Sequence, residues 1–79
     1  MLTEYVNAAL KSAEYKRLAD GDWFGEVPQT PGVWATGQTV EETREELRSV
    51  LEDWILIGLR KGEAMPLIGG IYLNVHHVV

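Results

Sequence analysis

The most regular apolar pattern in the chain runs from Val40 to Lys61. Val40, Leu47, Val50, Leu51, Trp54, Ile55 and Gly58 recur at helical spacing, while Arg44, Glu45, Arg48, Glu52 and Asp53 fall on the far side. Six large side chains on that stripe would each contribute about 1.5–3 kcal/mol on burial, so the helix should dominate the core. Thr39-Val40-Glu41-Glu42 reads as a capping box, in which the Thr39 hydroxyl accepts from the Glu42 N–H and the Glu42 side chain reaches back. Arg60 and Lys61 face the negative pole of the helix, and Gly62 suits a left-handed cap. Ile57 and Leu59 lie partly outside the stripe and predict a second apolar contact.

Upstream the period shortens to two. "AEYKRLAD", residues 13–20, fits an exposed antiparallel strand, followed by a turn at Ala19-Asp20-Gly21-Asp22. "WFGEV" predicts a second strand, with Trp23, Gly25 and Val27 on one face and Phe24 and Glu26 on the other. Pro28 ends it for want of an N–H, Pro31-Gly32 turns the chain, and "VWAT" returns as a third strand to Gly37. Residues 3–12 read as a short helix, with Thr3 as N-cap and Tyr5, Val6, Ala9 and Leu10 on its apolar face. Beyond the loop "GEAMPLIGG", Ile71, Leu73 and Val75 alternate with Tyr72, Asn74 and His76 and predict a final strand. The expected fold class is therefore α+β: a short N-terminal helix, a three-stranded antiparallel sheet, a long helix packed on it, and a last strand. That last strand follows a helical crossover and is expected to run parallel to one of the first three.

Length and charge narrow the possible roles. At 79 residues the chain is one domain, 1–79, and buries only about 60–65% of its unfolded surface. It has no cysteine to staple the fold, so self-association into a dimer or tetramer is expected. The net charge is −5, from 12 acidic and 7 basic residues, and the basic ones are scattered. Nucleic-acid binding is not expected, and a basic protein partner suits the chain better. Its longest apolar run, Trp54 to Leu59, is far short of a bilayer span. Met1 leads into a polar segment without an apolar signal core, so the cytoplasm is the expected compartment.

Candidate chemistry is sparse, and no catalytic residue, metal site or cofactor is expected. Asp20, Asp22 and Glu26 would be the carboxylates of a degenerate magnesium-dependent nuclease, but turn chemistry explains the first two more simply. His76 and His77 are adjacent, so on a strand they point to opposite faces and cannot chelate one ion within the chain. Ser12 and Ser49 lack a nearby histidine in sequence and a nucleophile-elbow motif, and Gly69-Gly70 lacks the lysine of a phosphate loop. Trp54 belongs to the helix stripe. Trp23 and Trp34 flank the hairpin, where one is expected to pack and the other to be exposed, and Trp is enriched in binding hot spots.

The stretch "GEVPQTPGVWATGQTVEETREELRSVLEDWI", residues 25–55, resembles the core signature of HicB-like antitoxins. Glu26, Pro28, Pro31, Gly32, Gly37, Thr39, Glu41 and Glu42 follow the family's order, and the resemblance covers residues 13–68, between the helix of residues 1–12 and the strand of residues 69–79. It implies a partial ribonuclease-H-like fold without ribonuclease activity. It also implies a partner, a small basic HicA-type toxin that cleaves mRNA and is masked by the domain. Thr43 stands where members often carry a small residue, and no counterpart of the DNA-binding domain of longer members is expected. Operator binding is not expected either. The partner-binding surface is expected at Glu26, Pro28, Pro31, Trp34 and Glu41, since a preorganised loop loses little entropy on docking. The alternative is an orphan structural or regulatory oligomer without a toxin, joined through Ile57, Leu59, Ile71, Leu73 and Val75.

Overall fold

A computed structural model describes residues 2–71. The elements run α1 (Leu2–Lys11), β1 (Glu14–Arg17), β2 (Trp23–Glu26), β3 (Trp34–Gly37) and α2 (Val40–Arg60). The three strands form one antiparallel sheet in the order β1-β2-β3, and α2 packs on β3 and β2. The α+β architecture is the expected one. The predicted final strand lies outside the described residues except for Ile71, which bridges Ile68 across the positive-φ pair Gly69-Gly70.

Both ends of α2 are fixed by local chemistry. The Glu42 N–H donates to the Thr39 hydroxyl at 3.0 Å, but the returning Glu42 carboxylate accepts from the Gln38 N–H at 3.3 Å rather than from the cap's own amide. At the far end Gly62, at φ +73°, reverses the chain. Its N–H donates to the Leu59 carbonyl while the Glu63 N–H donates to the Gly58 carbonyl, the paired bonds of a Schellman motif.

The buried stripe of α2 is Thr43, Leu47, Leu51, Ile55 and Gly58. Val50 and Trp54 are only half-buried at its margin, so three large side chains rather than six are fully enclosed. A polar residue sits in this stripe because the sheet lets the helix come close. The Thr43 hydroxyl donates to the Thr39 carbonyl at 2.7 Å, which satisfies it without water. Its other surfaces press on two glycines. A Cβ on Gly37 would lie 2.7 Å from Thr43 Oγ1 and 2.8 Å from the Thr43 backbone nitrogen, and one on Gly25 would lie 3.1 Å from Thr43 Cγ2.

α1 lies against α2 rather than on the sheet. Its apolar face of Tyr5, Val6, Ala9 and Leu10 joins Leu47, Leu51 and Ile55 of α2, with Val27, Val33, Met65 and Ile68, in one core. Asn7 accepts from Arg48 at 3.3 Å. The segment after α2 is more than a connection, since Met65 and Ile68 are buried in the core. The Tyr5 hydroxyl donates to the Pro66 carbonyl at 2.6 Å and burial pushes this phenol above its ordinary pKa. Helix α1 begins at Leu2, so Thr3 falls inside the helix instead of capping it.

Two outcomes test this packing. Gly25→Ala and Gly37→Ala should each lower stability by about 1–3 kcal/mol in urea unfolding. A Cβ on Gly25 would meet the Tyr15 ring at 2.9 Å before the Thr43 methyl at 3.1 Å, so a second change, Thr43→Ser, should rescue Gly25→Ala only in part. Thr43→Ala should not rescue Gly37→Ala, because the helix backbone itself blocks that Cβ; equal rescue would refute the close seating. In the same assay Leu51→Ala should cost about 2–5 kcal/mol, while Leu56→Ala, on the exposed side of α2, should stay within about 0.5 kcal/mol.

Candidate functional site

Because α2 covers Gly25 and Ala35, strand alternation sends the neighbouring side chains to the opposite face of the sheet. Register orders that face in two rows. Glu14, Glu26 and Trp34 stand side by side across the three strands, and Lys16, Phe24 and Thr36 form the next row. Phe24 and Trp34 are diagonal neighbours whose rings stack at 6.0 Å and 24°. Trp34 is 55% exposed, and no described helix lies on this face. A shallow cavity of about 190 Å³ opens beside the stack, lined by Glu14, Tyr15, Lys16, Phe24 and Glu26.

The three tryptophans thus have separate fates. Trp54 rests half-buried on the core. Trp23 is half-buried and carries the Arg17 guanidinium 5.7 Å from its ring centroid, a cation–π contact within the chain. Trp34 is the exposed one. It gains planar support from Phe24, so its orientation is set before any partner arrives.

Electrostatically the face is uneven. Glu14 and Glu26 are paired directly opposite each other, an arrangement of like charges that lowers sheet stability. Lys16 adds the only positive charge of the two rows. Below the sheet, the Tyr15 hydroxyl is buried with no hydrogen-bond partner among the described residues, and nothing in the structure accounts for it.

The expected contact residues divide accordingly. Glu26 and Trp34 are cross-strand neighbours, brought together on the open face. Pro28 and Pro31 are exposed on the connection between β2 and β3. That connection is anchored by Thr30, which is buried: its N–H donates to the Val27 carbonyl at 3.1 Å and its carbonyl accepts from the Val33 N–H at 3.0 Å. Gly32 completes the reversal at φ +91°. The prolines therefore ride on two clamped turns, with Gln29 held by the Ser12 hydroxyl at 2.8 Å. Glu41 is exposed in the first turn of α2, past the opposite end of β3 and on the helix side, so it does not join this cluster. Glu14, Lys16 and Phe24 were absent from the expected set. Alternation alone places Phe24 beside Glu26, but only the register brings Glu14 opposite Glu26 and Phe24 under Trp34.

Asp20 serves its turn, accepting the Asp22 N–H at 2.9 Å. Among the described residues no group of three or more His, Cys, Asp or Glu side chains is placed to hold a metal ion. A second apolar surface lies on the C-terminal half of α2. Leu56 and Ile57 are each 53% exposed and Leu59 is exposed as well, and Asp53, Leu56, Ile57 and Arg60 line a groove of about 260 Å³. Ile71 is half-buried against the chain's own core, while Leu73 and Val75 lie outside the described residues.

No helix among the described residues is long and apolar enough to cross a membrane. No curated protein matches the chain. A solved structure, the crystal structure of TTHA0281 from Thermus thermophilus, is similar to it at 40% sequence identity with a TM-score of 0.89. The match covers 96% of this chain and 95% of that one, so helices, sheet and connections are shared almost throughout. The UPF0150-like family model matches residues 4–66, which takes in most of α1, the whole sheet, α2 and the buried Met65. With well over half of its length matched by the family model, the chain belongs to the UPF0150-like family.

Proposed function

We propose that this UPF0150-like domain is a non-enzymatic protein-binding module that docks a small basic protein on the open face of its sheet. The observation that carries the reading is Trp34, exposed yet held in a stack on Phe24, with Glu14 and Glu26 beside it. Exposed aromatic side chains of fixed orientation are the usual anchors of protein interfaces. The acidic excess of the chain favours encounter with a basic partner and sets the sign of the long-range attraction. The HicB-like pattern of residues 25–55 makes a HicA-type ribonuclease toxin the first candidate, bound and masked in the cytoplasm.

The apolar surface of α2 supports a second reading, in which Ile57 and Leu59 join copies of this chain into a dimer or tetramer. The two readings are compatible, because the sheet face and the C-terminal half of α2 are separate surfaces. An orphan oligomer without a toxin would use the second surface alone.

Co-expression with a small basic protein encoded beside this chain tests the proposal, scored by growth rescue and co-purification. Trp34→Ala should weaken the complex at least about thirtyfold while lowering the stability of the free chain by only about 0.5–1.5 kcal/mol, the worth of the lost stack on Phe24. Equal loss of binding and stability would return Trp34 to a structural role. Light scattering over a concentration series checks self-association, and Ile57→Glu should shift the oligomer toward monomer; a wild-type chain that stays monomeric throughout would remove the second reading.

A further inference from the structure

The cavity beside the Phe24–Trp34 stack has a more specific chemistry than an acidic surface. Its two glutamates, Glu14 and Glu26, are paired directly opposite each other across β1 and β2, and the aromatic residue Phe24 lines it beside them. A cation placed between the carboxylates relieves their repulsion, and a planar one can also lie on the ring. Arginine meets both requirements, because its guanidinium stacks on aromatic faces and offers a rigid fork of donors to carboxylates. Lysine, a compact and strongly hydrated point charge, meets only the first. A second copy of this chain fits poorly, since a two-fold contact through this patch sets the same carboxylates against themselves.

We infer that the open sheet face is an arginine seat: a partner's arginine side chain enters the cavity, stacks on Phe24 next to Trp34, and bonds Glu14 and Glu26. This deepens the protein-binding reading and rests on it. Lys16 occupies the rim of the same cavity, diagonal to Glu26, and so competes with the incoming cation. The seat therefore predicts opposite signs for two neighbouring residues: removing the Glu26 charge weakens binding and removing the Lys16 charge strengthens it.

Nuclear magnetic resonance on the isotopically labelled chain, titrated with N-acetyl-arginine amide, reads this out. Saturable shifts are expected at Glu14, Phe24, Glu26 and the Trp34 indole, with N-acetyl-lysine amide at least about threefold weaker at equal ionic strength. Glu26→Gln should weaken arginine binding about fivefold or more, and Lys16→Ala should tighten it about twofold. Non-saturating shifts, equal binding of the two amides, or unchanged affinity in Glu26→Gln would overturn the seat. A complex with the basic neighbour that Glu14→Gln and Glu26→Gln leave intact would also overturn it while the protein-binding reading stands. Saturable, arginine-selective binding without any such complex would support the seat and remove the toxin reading instead.

Discussion

The rest of the structure depends on how closely α2 sits on the sheet. Thr43 fits between Gly25 and Gly37 with no room for a methyl group on Gly37, and its hydroxyl is satisfied within the helix. That contact commits one face of a small sheet to one helix. It also fixes where α2 starts, since the capping residues Gln38 and Thr39 follow Gly37 directly. From that seat α2 runs on for 21 residues, about 30 Å at the usual rise. Four-residue strands cannot cover so long a helix. The upper half of α2 therefore takes its core from elsewhere: α1, the ends of the β2–β3 connection, and the Met65–Ile68 segment.

This division of labour explains why the outer face of the sheet is free for something else. A sheet of three short strands with one covered face is marginal by itself, and here its stability comes from the glycine-lined contact below. Above, the chain tolerates features that an unoccupied surface gains nothing from. A tryptophan is half in water, and two glutamates oppose each other across the ladder. Binding surfaces commonly carry such locally unfavourable groups, which a partner then satisfies. The clamped turns around Thr30 add rigidity at the edge of the same face.

Much of this was legible in the sequence, for physical reasons that differ by element. The ends of α2 could be read because capping is local: Thr39, Glu42 and Gly62 act on neighbours within a turn. The inner and outer faces of β2 could be read because alternation is local too. What escaped was set by contacts across the chain. Thr43 reads as a poor core residue until Gly25 and Gly37 are seen beneath it. Met65 and Ile68 sit in a loop with no period to announce them. The pairing of Glu14 with Glu26, and of Phe24 with Trp34, is a matter of register, which the turn geometry between strands decides. Glu41, grouped with Trp34 by proximity in sequence, is separated from it by the layer of the sheet.

The central claim is that the open sheet face, and not the flank of α2, receives the partner. Chemical-shift mapping of the chain in complex with a small basic protein encoded beside it tests this most directly. The account predicts shifts concentrated on Glu14, Lys16, Phe24, Glu26, Trp34 and Thr36, with Leu56, Ile57 and Leu59 unmoved. Shifts confined to the C-terminal half of α2, with the Trp34 indole unchanged, would contradict it.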